Sequence, residues 1–127
     1  MRLHLDTDFL VCALASSGPE RKLLLDLADS SVELQMSAVA WYEFARGPRT
    51  EDQLAVARSF FAEDGIVPFS EDIAGRAGRV FQNLGSPRRR ANDIAIGVTA
   101  VAMNARLVSR NGGDFVGIPG LEVETAG

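Results

Sequence analysis

The sequence predicts a single α/β domain with a parallel sheet that helices cover on both faces. Short apolar segments typical of strands alternate with longer segments of helical periodicity, an order that favours parallel strands joined by helices. The chain has 127 residues, close to the usual size of one domain, and neither a repeat nor a linker divides it. We therefore predict one domain over residues 1–127.

The composition, with 46% hydrophobic and 24% charged residues, is that of a soluble globular protein. No apolar run is long enough to cross a bilayer, and Asp6 interrupts the N-terminus before a signal-like stretch develops. The one cysteine, Cys12, cannot form an internal disulfide. Together these features predict a cytoplasmic protein that has no membrane anchor.

The formal net charge is −4, with 13 Lys and Arg against 17 Asp and Glu. Nucleic-acid-binding proteins usually present a basic face, so the total argues against that class. The objection is limited, because a metal site uses several carboxylates whose charge the cation neutralises. Local basic clusters remain: Arg88–Arg90 form a compact run, and Arg46, Arg49 and Arg58 lie in the middle third.

The first half of the chain opens with a predicted strand, Arg2 to Leu5, followed by a helix from Thr7 to Ala15. Pro19 fits the first position of a second helix, which continues over Glu20 to Ala28. A second strand is predicted over Val32 to Met36. Two further helices are predicted from capping side chains. Ser37 can cap a helix that runs to Arg46. Thr50 can cap a helix that carries Leu54, Ala57 and Phe61 along one side.

The second half contains the clearest helical pattern, with apolar residues at steps of three and four after the capping residue Ser70. That helix carries Ile73, Ala77, Val80, Phe81 and Leu84 on one face. The other predicted elements are a short strand over Ile66 to Pro68, a loop from Gly85 to Ala91, a buried helix from Ile94 to Met103, a strand from Arg106 to Ser109, a turn at Asn111 to Gly113 and a last strand from Leu121 to Glu124.

Four acidic residues fall where this arrangement brings element ends together. Asp6 ends the first strand, Asp114 follows the strand from Arg106, Glu43 lies in the helix after the second strand, and Asp93 precedes the buried helix. The carboxyl ends of parallel strands share one edge of a sheet. Converging carboxylates repel each other, and a hard divalent cation such as Mg²⁺ relieves the repulsion. The pattern indicates an acidic metal site.

Each acid also has a structural explanation when it is taken alone. Asp6 suits a helix N-cap, and Asp93 in a first helical turn complements the helix dipole. Glu43 suits a solvated helix surface, and Asp114 after two glycines suits a turn. The metal-site hypothesis therefore rests on the four acids together.

The motifs around these acids resemble the PIN domain family, in order and over nearly the whole chain. The opening Leu5-Asp6-Thr7 is similar to the Asp-Thr that follows the first strand of that family, and Glu43 to its helical glutamate. Asp93 with the helix Ile94-Ala95-Ile96 resembles a third motif. The segment Ser109-Arg110-Asn111-Gly112-Gly113-Asp114-Phe115 resembles the family's Thr-x-Asn-x-x-Asp-Phe, with Ser109 in place of Thr.

The resemblance implies a five-stranded parallel sheet and a metal-dependent endoribonuclease that uses Mg²⁺ or Mn²⁺. Asp6, Glu43, Asp93 and Asp114 would be both its catalytic residues and its metal ligands. At this length the chain is most similar to the toxin of a VapBC-type toxin–antitoxin pair. That implies an RNA substrate and a small antitoxin protein as partners, and it leaves open whether the chain forms a homodimer.

Several other residues are predicted to support the site. Ser109 and Asn111 could orient the carboxylates by hydrogen bonds, although a turn would also explain Asn111. Thr7 could orient groups around Asp6, although helix capping would also explain it. Arg88, Arg89 and Arg90 precede Asp93 and could contact RNA phosphates, or form only a solvated loop. Asp8 stands where a neutral residue is expected; it could add a charge next to the metal ligands, but it fits better as a first-turn acid that points away from the site. His4 and Cys12 are predicted to be packing residues.

Two rival functions remain open at this point. Asp6-Thr7-Asp8 also satisfies the opening Asp-x-Asp of a haloacid-dehalogenase-like phosphatase, in which the first Asp is the nucleophile and the second the general acid. Such an enzyme needs a basic residue, usually Lys, in its second half, and the only lysine here is Lys22. The other rival is a PIN-like binding module that has lost hydrolysis.

Overall fold

The computed structural model describes residues 1–125, which contain five strands and six α-helices. Strands and helices alternate as the sequence predicts. The strands are β1 (Arg2–Leu5), β2 (Glu33–Ser37), β3 (Ile66–Val67), β4 (Arg106–Ser109) and β5 (Val123–Thr125). The helices are α1 (Thr7–Ala15), α2 (Pro19–Ala28), α3 (Ala38–Ala45), α4 (Glu51–Arg58), α5 (Glu71–Asn83) and α6 (Ala91–Ala102).

The five strands form one sheet in the order β3-β2-β1-β4-β5, and every neighbouring pair is parallel. The central strand β1 pairs with β2 on one side, with Leu3 opposite Leu34, and with β4 on the other, with His4 opposite Leu107. Because all strands run the same way, their carboxyl ends lie along one edge of the sheet. The predicted five-stranded parallel sheet is confirmed.

Helices cover both faces of this sheet. Successive residues of a strand point to opposite faces, and Leu3, His4 and Leu5 of β1 are all buried. The same holds for the consecutive residues Leu107 and Val108 of β4. Within residues 1–125, no helix is both long and apolar enough to span a bilayer.

The three predicted helix caps are confirmed. The hydroxyl groups of Ser37, Thr50 and Ser70 each accept a hydrogen bond from a backbone N–H in the first turn of α3, α4 and α5. Thr50 forms a full capping box with Gln53, whose side chain accepts from the Thr50 backbone N–H. The capping residues thus fix where these helices begin.

Some predicted boundaries need correction. Helix α6 begins at Ala91 rather than Ile94, because its first turn is polar and apolar periodicity does not detect it. A single 3-10 turn, Arg88–Arg90, replaces part of the predicted loop before it, and another, Gly112–Phe115, contains the predicted turn. Strand β5 begins at Val123 rather than Leu121, where pairing with Leu107 of β4 starts.

Candidate active site

The four predicted acids line one polar cleft of ≈ 290 Å³ at the carboxyl edge of the sheet. Asp6 comes from the end of β1, Glu43 from α3, Asp93 from the first turn of α6 and Asp114 from the 3-10 turn after β4. Residues far apart in the sequence thus meet in one place, as expected when parallel strands end at the same edge of a sheet. Among residues 1–125, none of the four forms a salt bridge.

Asp6 acts as a helix cap and as part of the cleft at the same time. The backbone N–H of Phe9 donates to its Oδ1 at 2.8 Å, which caps α1. The hydroxyl of Ser109, which is fully buried, donates to its Oδ2 at 2.6 Å. Ser109 also accepts from the Asn111 backbone N–H at 3.0 Å, so it links β1 to the turn that leads to Asp114. Asp6 can therefore cap α1 and belong to the acidic cleft at the same time.

Burial raises the pKa of Asp6, and the nearby charges of Asp8 and Asp114 raise it further. The hydrogen bonds from Ser109 and Phe9 act in the opposite direction, because they favour the ionised carboxylate. Ser109 thus helps to keep a buried carboxylate charged.

Burial also raises the pKa of Asp93, to about 6. The charges of Asp114, Glu43 and Asp6 contribute in the same direction, while Arg90 opposes the shift. The four carboxylates line one cleft, so the charge of each disfavours the ionised form of its neighbours.

Glu43 is held by two neutral donors, one of which the sequence interpretation missed. The Thr7 hydroxyl donates to Glu43 Oε1 at 2.8 Å. The side-chain amide of Asn92 donates to Glu43 Oε2 at 3.0 Å. Thr7 thus orients Glu43 rather than groups around Asp6. Asn92 precedes Asp93 directly, so its adjacency to a predicted site acid was the available signal.

Arg90 forms hydrogen bonds with the segment that carries Asp114. Its guanidinium donates to the backbone carbonyl of Asp114 at 3.3 Å and to that of Val116. This side chain is only partly exposed, whereas Arg88 and Arg89 are exposed. Arg90 is therefore engaged by the protein itself, and the predicted RNA-binding run divides into one tethered and two solvent-facing arginines.

The interpretation of Asp8 as an acid that points away from the site is wrong. Asp8 lines the same cleft as the four acids. Its Oδ2 accepts from the Asn111 side-chain amide at 3.2 Å and lies 3.3 Å from Arg110 Nη1, and Arg110 also pairs with the buried Glu20. Asn111 therefore orients Asp8 rather than one of the four predicted ligands.

The packing prediction is confirmed for His4 and only in part for Cys12. His4 is fully buried in β1 and hydrogen-bonded to Gln35 at 2.9 Å. Cys12 is only partly buried. Phe44 is core and stacks on Trp41, with ring centroids 5.7 Å apart, but Tyr42 is 61% exposed. Tyr42 is thus no core residue.

A larger, mostly apolar groove of ≈ 580 Å³ lies between α1, α2 and α4. Its lining includes Leu14, Leu24 and Phe60, and its charged members are Arg21, Arg49 and Asp52. None of the four acids lines it, so this groove is separate from the acidic cleft.

Comparison with known proteins agrees with this arrangement. A model of the PIN domain family matches residues 3–121. The chain belongs to the PIN domain family. It is 29% identical over 120 residues to a protein named Ribonuclease VapC19 from Mycobacterium tuberculosis, and the match covers 93% of this chain and 95% of that relative.

Solved structures share the PIN domain fold along the whole chain. VapBC2 from Rickettsia felis, solved bound to a DNA fragment from its promoter, superimposes with a TM-score of 0.77 at 24% identity, with 100% of both chains covered. A toxin–antitoxin complex from Klebsiella pneumoniae gives a TM-score of 0.73 at 27% identity, with 97% of this chain and 96% of that chain covered.

The cleft of this PIN domain fits a divalent cation by its chemistry. Its donors are carboxylate oxygens, which hard cations prefer, and burial together with mutual repulsion raises the pKa of Asp6 and Asp93. Within residues 1–125, no three His, Cys, Asp or Glu side chains are grouped closely enough to hold a metal ion by themselves. An open site is consistent with Mg²⁺, which keeps several waters and binds through one or two carboxylates.

Proposed function

We propose that this PIN domain is a metal-dependent endoribonuclease that hydrolyses RNA phosphodiester bonds at the acidic cleft. The observation that carries the proposal is the convergence of four carboxylates from four different elements in one cleft, where, within residues 1–125, none has a salt-bridge partner, so that their charges repel one another. Mutual repulsion of this kind is unfavourable in a purely structural cluster and is typical of functional sites. The relative named Ribonuclease VapC19 supports RNA as the substrate.

The proposed cofactor is Mg²⁺ or Mn²⁺, held by Asp6, Glu43, Asp93 and Asp114. When bound, such an ion supplies charge stabilisation on the phosphoryl oxygens and a lowered pKa for the attacking water. The donor set supports this proposal, since it consists of carboxylates that come from four different elements.

The remaining residues of the cleft position these carboxylates. Ser109 holds Asp6, and Thr7 and Asn92 hold both oxygens of Glu43. Fixed carboxylates would hold the cation in one place, so that the site would need little reorganisation when negative charge develops on the phosphate. One of these carboxylates is also suited to accept a proton from the attacking water.

Arg88 and Arg89 are the proposed RNA contacts of the predicted basic run. Both are exposed and precede α6, the helix that carries Asp93. Guanidinium groups suit phosphate because their planar donors match its oxygens. Arg90 is excluded from this role because backbone carbonyls already engage it.

We further propose that the protein is the toxin of a VapBC-type module and is inhibited by a small antitoxin protein in the cytoplasm. The toxin–antitoxin complex from Klebsiella pneumoniae and the VapC19 relative support this role. Self-association into a homodimer stays a prediction, which light scattering on the purified chain would test.

Neither rival function is favoured. The phosphatase needs Asp8 as a free general acid, yet Asn111 and Arg110 engage its carboxylate. The family match also assigns the Asp6-Thr7-Asp8 segment to a PIN domain. A PIN-like binding module that has lost hydrolysis would gain nothing from carboxylates whose charges, together with burial, raise the pKa of Asp93.

Incubation of the purified protein with RNA tests the proposed activity. The wild type should cut RNA in Mg²⁺ or Mn²⁺ and stop in excess EDTA, and Asp93→Asn should be inactive. Asp26→Asn, which neutralises an exposed acid of α2, is the matched control and should retain activity. Cutting that persists in EDTA, or in Asp93→Asn, contradicts the metal-dependent mechanism.

Inducible expression in a bacterial host tests the toxin role separately. Wild-type protein should arrest growth, Asp93→Asn should not, and co-expression of the small protein encoded next to the gene should restore growth. Normal growth with abundant soluble wild-type protein would contradict the toxin role and would leave the nuclease proposal standing.

A further inference from the structure

Arg46 is a cation inside the acidic cleft that the sequence interpretation did not assign. It lines the cleft together with Asp6, Glu43, Asp93 and Asp114. It caps the C-terminus of α3, three residues after Glu43, and residues three apart lie on the same side of a helix. The helix that supplies the carboxylate of Glu43 therefore also supplies a guanidinium to the same cleft.

Within the part of the chain that the structure describes, the Arg46 guanidinium makes no polar contact with the protein itself. Arg49 donates to the Phe44 carbonyl, and Arg58 donates to carbonyls just after α4, so both neighbouring arginines are engaged. Among residues 1–125, Arg46 forms neither a salt bridge nor a side-chain hydrogen bond. The charge that opposes the raised pKa of Asp93 belongs to Arg90.

Tyr42 supports Arg46 from one side. The guanidinium carbon lies 5.5 Å from the centroid of the Tyr42 ring, within the range of a cation–π contact. Tyr42 is 61% exposed, so this ring is not placed there by core packing. The contact restricts the arginine rotamers and leaves the N–H groups free for another partner.

Five carboxylates line the cleft, and one proposed divalent cation offsets only part of their negative charge, so a further cation beside its path would favour the entry of a phosphodiester. Arg46 is the arginine that lines this cleft, whereas Arg88 and Arg89 do not. We propose that Arg46, supported by the Tyr42 ring, contacts the RNA phosphate at the cleft. This inference rests on the proposed nuclease function and adds a substrate contact to it.

Binding of a short labelled single-stranded RNA, measured by fluorescence anisotropy over a range of salt concentrations, tests this contact. All proteins carry Asp93→Asn, so that the RNA stays intact in Mg²⁺. In this background we compare Arg46→Gln, Arg46→Lys and Tyr42→Ala. Arg79→Gln is the matched control, since Arg79 is an exposed arginine on α5 outside the cleft lining.

Arg46→Gln should weaken binding and reduce the slope of log affinity against log salt by about 0.7, the value for one phosphate contact on a single strand. Arg46→Lys should keep the slope but bind several-fold more weakly, because it loses the planar donors and the contact with Tyr42. Tyr42→Ala should do the same. Arg79→Gln should match the reference protein, and melting temperatures should confirm that all variants fold.

Two failures are distinguishable. If the reference protein binds RNA and Arg46→Gln leaves the slope unchanged, the Arg46 contact is overturned while the nuclease proposal stands. If the wild type does not cut RNA in Mg²⁺ or Mn²⁺ and the reference protein does not bind it at any salt concentration, the proposed function is overturned and the contact with it.

Discussion

The hydroxyl of Ser109 donates to Asp6 Oδ2 at 2.6 Å across 103 positions of sequence. This bond joins the carboxyl ends of the adjacent strands β1 and β4. It also opposes the effect of burial on the pKa of Asp6. A buried carboxylate at a strand end can stay ionised only if donors of this kind are supplied.

Ser109→Ala should therefore raise the pKa of Asp6 and destabilise the fold by about 1–3 kcal/mol, the cost of leaving a buried polar group without its partner. Since ionised Asp6 is the proposed ligand, the acidic limb of the pH–activity profile should move to higher pH. Urea denaturation and a pH–rate profile measure the two effects. Ser59→Ala, which changes an exposed serine after α4, is the control, and a profile equal to the wild type would remove Ser109 from the site.

Asn92→Ala should weaken Mn²⁺ binding and activity without much change in stability. Loss of a side chain that orients a metal ligand typically costs about 10–100-fold. The effect should lie near the lower end, because Thr7 still holds the other oxygen of Glu43. Asn92→Asp should be worse than Asn92→Ala, since a carboxylate would then face Glu43.

Mn²⁺ titration calorimetry and initial rates measure the effect of both Asn92 variants. Asn83→Ala, which changes an exposed asparagine at the end of α5, is the matched control. Equal Mn²⁺ affinity of Asn92→Ala and Asn83→Ala would show that Asn92 does not position Glu43.

Substitutions in the basic run before α6 should have two different effects. Arg88→Gln with Arg89→Gln should leave the melting temperature unchanged and reduce the salt slope of RNA binding by about 0.7 for each lost contact. Arg90→Gln should instead lower the melting temperature, because the carbonyls of Asp114 and Val116 lose their donor. A salt slope unchanged by the double substitution would mean that Arg88 and Arg89 form only a solvated turn.

The strand and helix order was predictable from the sequence because apolar periodicity and capping residues report local structure. Ser37, Thr50 and Ser70 each cap the helix that they were expected to begin. Boundaries set by pairing or by polar first turns were less accurate, as at Val123 and Ala91. Periodicity counts apolar residues and does not detect those signals.

From the predicted topology alone, only the site residues that follow strands could be placed together. Asp6 and Asp114 follow strands, so topology alone brings them together. The contact of Asn92 with Glu43 spans 49 positions, and the placement of Asp8 depends on Arg110 and Asn111. Both are side-chain contacts between separate elements, which no local pattern encodes.

The stability of the metal-free protein should depend on pH through Asp93. Its pKa in the folded state, about 6, lies above its ordinary value of 3.8. The folded state therefore binds this proton more tightly, and stability falls as pH rises from about 4 to 6. In Asp93→Asn the fall should be smaller, so the variant should be the more stable protein at pH 7.5 in EDTA.

Chemical denaturation at several pH values in EDTA measures this difference in the free energy of unfolding. Asp26→Asn should follow the wild type at every pH. The opposite result would be metal-free Asp93→Asn that is less stable than the wild type by about 0.3–1 kcal/mol at pH 7.5. That result would indicate that the charge of Asp93 stabilises α6 by interacting with its helix dipole.

Mn²⁺ binding to the wild type and to Asp93→Asn, followed by thermal melts in EDTA and in Mn²⁺, tests the central claim most directly. If the acids of the cleft hold a cation, the wild type should gain about 2.7 kcal/mol at a hundred times its dissociation constant. Asp93→Asn should gain much less at the same Mn²⁺ concentration, and Asp26→Asn should gain as much as the wild type. An equal response of wild type and Asp93→Asn to Mn²⁺ would contradict the metal site.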